Sequence, residues 1–142
     1  MKSLENEATR RELLARIDRI TDDTKPLWGR FTARKMLDHI ARSAEMAAGE
    51  RAVAPKKLPI RYFPLKQLAL YILPMPKGLP TAPELLTDSP EPLESSKATL
   101  HRILESFDPK PCDHPAFGML SSHAWSVLVY RHSDHHLRQF GV

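Results

Sequence analysis

Nine of the thirteen prolines in this 142-residue chain fall between Pro55 and Pro92. Proline fixes φ and has no backbone N–H to donate, so neither a long helix nor a central strand can run through that stretch. Regular structure is therefore pushed to the two ends, and the middle has to be irregular. No strand pattern competes for the ends: sustained apolar–polar alternation is missing, Asn-Gly and Asp-Gly pairs are missing, and there are only five glycines. This argues against all-β and α/β classes and for an all-α chain. At this length the expectation is one domain spanning residues 1–142, which buries roughly two thirds of its unfolded surface without needing a disulfide or structural metal.

The single cysteine, Cys112, excludes an internal disulfide and a cysteine-rich zinc finger. The opening MKSLENEATRRELL alternates charge and reads as neither signal peptide nor anchor. The longest uncharged apolar run, Leu68 to Leu73, falls far short of the roughly 20 residues of a membrane helix. The expectation is a cytoplasmic protein without a membrane partner. Net charge is +4 and the pI is near 9.4. Arg10, Arg11, Lys56, Lys57, Arg131 and Arg138 are nevertheless spread along the chain, which reads as a solvated mixed-charge surface and not a nucleic-acid interface.

The spacing predicts a first helix over Leu4–Ile20, with Ser3 as N-cap and Leu13, Ile17 and Ile20 on one face. TDDTKPLWGR follows as a loop, with Trp28 expected to plug into the core. A second helix is predicted from an N-cap at Thr32 to near Gly49. Residues 50–63 read as linker, Pro64–Leu73 as a short apolar helix, and Pro74–Pro92 as a long crossover. Another helix is expected over Leu93–Phe107, and the last from Ser121 or Ser122 to Phe140, with Gly141 and Val142 closing it. The sum is a four-helix bundle with a short extra helix and a proline-rich crossover.

The last helix carries the chemistry. At 100° per residue, His132 and His136 fall within about 20° of the Trp125 direction, at the centre of the apolar face. Two imidazoles at i and i+4 can share a divalent metal. His135 lies at the edge of that face. On the second helix His39 points among Met36, Ser43 and Met46, and is the best third ligand. Three neutral nitrogens would leave a position open for water or substrate, as catalytic metal sites do. Ser43 and Gln139 sit about a turn from the ligands, placed to hold a water or orient a ring. Asp38 and Asp134 project away, so no general base is identifiable. Cys112 and His114 are too close in a proline-rich loop to suggest a catalytic pair. His114 reads as a loop anchor, and His101 and His123 as partly exposed bystanders.

These residues resemble the DinB/YfiT-like superfamily of metalloproteins, in a branch of domains without a settled reaction. The resemblance rests on Pro26, Trp28 and Gly29, on Met36 to His39, and on the long ending from His114 to Gly141 that finishes His-His-Leu-Arg-Gln-Phe-Gly. It covers nearly the whole chain. It implies His39, His132 and His136 as ligands to zinc or nickel, frequent homodimerisation, and relatives that include hydrolases and transferases using a low-molecular-weight thiol. Ala116, Ser122 and His123 depart from the branch's pattern. Val127, Tyr130 and Leu137 form a second apolar side on the last helix, which either the crossover or a two-fold partner has to cover. The reading is a metal-dependent enzyme acting on a small molecule. The contrasting one is a non-enzymatic bundle that binds a metal or ligand, or serves as an assembly module, with structural histidines.

Overall fold

The computed structural model describes all residues except 89–90, which belong to the predicted crossover. Helix α1 spans Glu7–Asp18, three residues later than the sequence suggests. Its cap is Asn6, whose side-chain oxygen accepts from the Thr9 N–H at 3.0 Å. Ser3 does not cap, because the residues before Asn6 serve another purpose. The Leu4 N–H donates to the Ser126 carbonyl at 3.3 Å, and the Leu4 side chain is fully buried. The expected face of Leu13, Ile17 and Ile20 is fully buried as well.

Helix α2 spans Ala33–Ala47, with Thr32 accepting from the Lys35 N–H as predicted and Gly49 leaving the helix at φ +78°. The short apolar segment forms one α turn, α3 (Leu65–Gln67), followed by a π turn over Leu68–Ile72. Arg131 donates to the carbonyls of Ala69, Leu70 and Leu73, satisfying acceptors that the end of this segment leaves open. Beyond it the described residues of the crossover run irregularly except for a 3₁₀ turn at Pro83–Leu85. Helix α4 follows over Leu93–Glu105.

The helical reading holds in class but misses one feature. Cys112–His114 (β1) and Gly118–Leu120 (β2) pair as a small antiparallel hairpin. Strands of three residues are too short to show alternation, and the turn carries no Asn-Gly or Asp-Gly signal. Helix α5 then spans Ser122–Gln139 with Ser121 as cap. Gly141 has φ +76° and the Val142 N–H reaches the Leu137 carbonyl at 3.1 Å, the predicted left-handed closure.

The protein is thus mostly helical. Helix α2 packs against both α4 and α5, and α1 packs against the same two. The core between them includes Met36, Leu37, Ile40, Leu100, Leu104 and Trp125. The second apolar side of α5 is covered within the chain: Val127, Tyr130 and Leu137 are 1%, 8% and 0% exposed. It therefore calls for no partner. Among the described residues no helix is long and apolar enough to cross a membrane.

Candidate metal centre

The helical periods that hide Met36 and Ile40 on α2, and Trp125 and Val129 on α5, also turn three histidines inward. His39 is 5% exposed and His136 9%, while His132 is half-buried. The Nε2 atom of His132 lies 3.0 Å from that of His39 and 3.1 Å from that of His136. Three nitrogens bound to one tetrahedral ion at 2.0–2.1 Å would be about 3.3 Å apart, close to these two separations, and all three ligand atoms lie within 4.8 Å of one another. No other group of three possible ligands of this kind lies close enough among the described residues.

The hydrogen bonds behind the rings fix which nitrogen is free. His39 Nδ1 lies 3.2 Å from the Leu85 carbonyl, which can only accept, so the proton of neutral His39 is on Nδ1. Gln139 donates its amide N–H to the Trp28 carbonyl at 2.7 Å, which aims its Oε1 at His136 Nδ1, 2.9 Å away. His136 therefore also carries its proton on Nδ1. Both Nε2 lone pairs then face the third histidine, which can offer at most one proton to the two of them. A divalent cation satisfies all three, and the donor set fits one.

Burial also keeps the rings uncharged. Desolvation holds His136 down to about 4 despite the Gln139 hydrogen bond, and lowers His39. His132 is pushed well below the ordinary imidazole value by burial first and by the neighbouring imidazoles second. The Phe31 ring lies 5.4 Å from His39 and 5.7 Å from His136, adding an apolar wall.

The other expected residues divide. Gln139 orients a ring, as its position suggested. Ser43 does not: its hydroxyl donates to the His39 carbonyl one turn back at 2.8 Å, a bond within the helix. His135 stands at the edge of the group, its ring 5.3 Å from that of His136 and 5.9 Å from that of Trp28. Trp28 is not a core plug. It is half-buried at the margin of the site, with Lys77 Nζ 4.0 Å above its ring. Asp134 is taken up by Arg16 at 2.7 Å and Arg138 at 3.0 Å. His114 anchors its loop, Nδ1 accepting from the N–H groups of Ala116 and Phe117. Burial pushes the Cys112 thiol up, the opposite of an activated nucleophile. His101 and His123 pair with Asp18 and Glu5 at the surface.

Leu85 has no place in the sequence reading, and Gly29 enters it only through the Pro-x-Trp-Gly resemblance, with no role toward a ligand. Leu85 contributes a backbone carbonyl, which leaves no residue-type signal. A Cβ at Gly29, where φ is +80°, would lie 2.5 Å from the Gln139 amide nitrogen. The signal was the glycine directly after Trp28. Beside the group, a cavity of about 750 Å³ is lined by Trp28, Tyr71, Lys77, Tyr130, Arg131 and His135, among others. Comparison with family models, curated proteins and solved structures gave no match to this chain.

Proposed function

We propose that the chain is a metal-dependent enzyme of the DinB/YfiT type, a four-helix bundle that binds zinc or nickel through His39, His132 and His136. The observation that carries this reading is the pair of committed Nδ1 protons, which leaves the Nε2 lone pairs of His39 and His136 converging on His132. A divalent metal held there supplies a Lewis acid and lowers the pKa of bound water or thiol, the chemistry of hydrolysis or of thiol transfer. The chain's own residues present the lone pairs and set the Phe31 ring as an apolar wall against His39 and His136. Asp134, the carboxylate nearest the ligands in the α5 sequence, is consumed in ion pairs and is not free to act as a base. The cavity lined by Trp28 and His135 falls in the size range of small-molecule sites, and a small molecule held there would lie beside the three ligands, none of which lines it.

Elemental analysis of untagged protein tests the centre. About one zinc or nickel per chain is expected, lost in His132→Ala and in His136→Ala. Equal metal content in all three proteins would reject the assignment. Metal-dependent turnover of an activated ester, or metal-dependent consumption of a low-molecular-weight thiol, separates an enzyme from a metal-binding module. A loaded protein inactive in both assays would favour the module.

A further inference from the structure

Residues 51–83 carry six basic side chains and no acidic one. Removing those six leaves fifteen basic residues against seventeen acidic, so the whole positive balance of the chain resides in this segment, a concentration that corrects the even spread expected from the sequence. The same segment holds seven of the eleven large hydrophobic side chains that are exposed among the described residues. The coincidence is local. Lys56 N–H bonds the Pro115 carbonyl, Arg61 N–H bonds the Leu58 carbonyl, and Lys66 N–H bonds the Tyr62 carbonyl. Lys66 Nζ reaches the Met119 carbonyl at 2.6 Å, and the Arg61 guanidinium lies against Gly118. These bonds gather Leu58, Tyr62, Phe63, Leu65 and Met119 beside Lys56, Lys57, Arg61 and Lys66. Phe63 is 82% exposed and Tyr62 67%. None of the four cations is in an ion pair among the described residues. Asp113, opposite Met119 across the hairpin, sets one negative charge at the margin.

Against the sequence expectation of no membrane partner, we infer that this surface binds the face of an anionic phospholipid bilayer, Tyr62 and Phe63 entering the headgroup region while the surrounding lysines and arginine meet the lipid phosphates and carboxylates. Exposed apolar side chains in contiguity mark an interaction site, and apolar groups ringed by cations are the composition that anionic interfaces select. Charge complementarity chooses the occupant. A second copy of this chain would bring four cations against four. A nucleic acid would satisfy the cations but leave Leu58, Leu65 and Met119 facing water. The surface includes none of the three histidines, and the inference does not depend on the metal reading.

Co-sedimentation of the full chain with phosphatidylcholine vesicles containing 30% phosphatidylserine, at 100 mM salt, tests it. Binding is expected there, and at least tenfold less to phosphatidylcholine alone or at 500 mM salt. Lys56→Ser and Lys57→Ser should each weaken binding about fivefold. Tyr62→Ser with Phe63→Ser should abolish it while the circular dichroism stays unchanged, since both side chains are exposed. Arg11→Ser, on α1, should have little effect. No binding to the anionic vesicles, equal binding to neutral ones, or retention on a single-stranded oligonucleotide in place of vesicles would overturn the inference. So would a dimer that Tyr62→Ser with Phe63→Ser dissolves without any lipid binding by the parent chain.

Discussion

The amide of Gln139 serves two partners at once, and each of its atoms has only one role open to it. Its N–H must face the Trp28 carbonyl, so its oxygen must face His136. Gln139→Leu removes both bonds and is expected to cut metal affinity 10–100-fold, read by competition with a chromophoric chelator. Gly29→Ala is expected to fall in the same range without touching a ligand, because the added Cβ meets the Gln139 amide nitrogen at 2.5 Å. Gly49→Ala is the contrast. It has a similar φ of +78° but nothing within 4 Å. It should cost about 1 kcal/mol of stability from backbone strain alone and leave metal affinity unchanged. Equal affinities in Gly29→Ala and Gly49→Ala would show that the turn does not position the ring.

At the scale of elements, α2 and α5 bury imidazoles that are easier to keep neutral than to charge. In the folded chain His136 titrates near 4, and His39 and His132 are lowered, all below the unfolded value near 6.5. The unfolded state therefore takes up protons first as pH falls. The stability these groups contribute is complete above about pH 6.5 and is lost as pH drops from there through 4, by about 1.4 kcal/mol per unit for each proton linked. His114, also lowered to about 4 by burial, adds to the loss with the same sign. Urea midpoints of the metal-free protein should be level from pH 7 to 8 and fall between 6 and 4.5. A level profile throughout would mean that the rings are not desolvated. The two helices were also the legible part of the sequence. Their 3.6-residue period placed His39, His132 and His136 inward, and Thr32, Ser121 and Gly141 marked their ends. What the period could not show is contributed by irregular backbone: the Leu85 carbonyl, the turn at Trp28 and Gly29, and the hairpin at Cys112–Leu120. The start of α1 was misplaced because Leu4 is held by a tertiary bond to α5, which no local cap signal announces.

Across the whole molecule, the histidine group ties together positions 93 residues apart in sequence, His39 and His132. A cation bound there cross-links α2 to α5 in the folded state and has no equivalent preformed site in the unfolded one, so its binding energy adds to folding. With free zinc at 100 times the dissociation constant the gain is about 2.7 kcal/mol. For a domain of this size that corresponds to a rise of roughly 10 °C in Tm. Arg16 reinforces the end of the same helix by a different route, bonding Asp134 at 2.7 Å and the Val142 carbonyl at 2.9 Å. The two ties share no side chain. Arg16→Met should therefore lower Tm equally with and without zinc, whereas His132→Ala should erase the zinc-dependent difference. Calorimetry of the three proteins with zinc and with EDTA makes the comparison. A zinc-dependent rise that survives in His132→Ala would place the ion elsewhere on the chain.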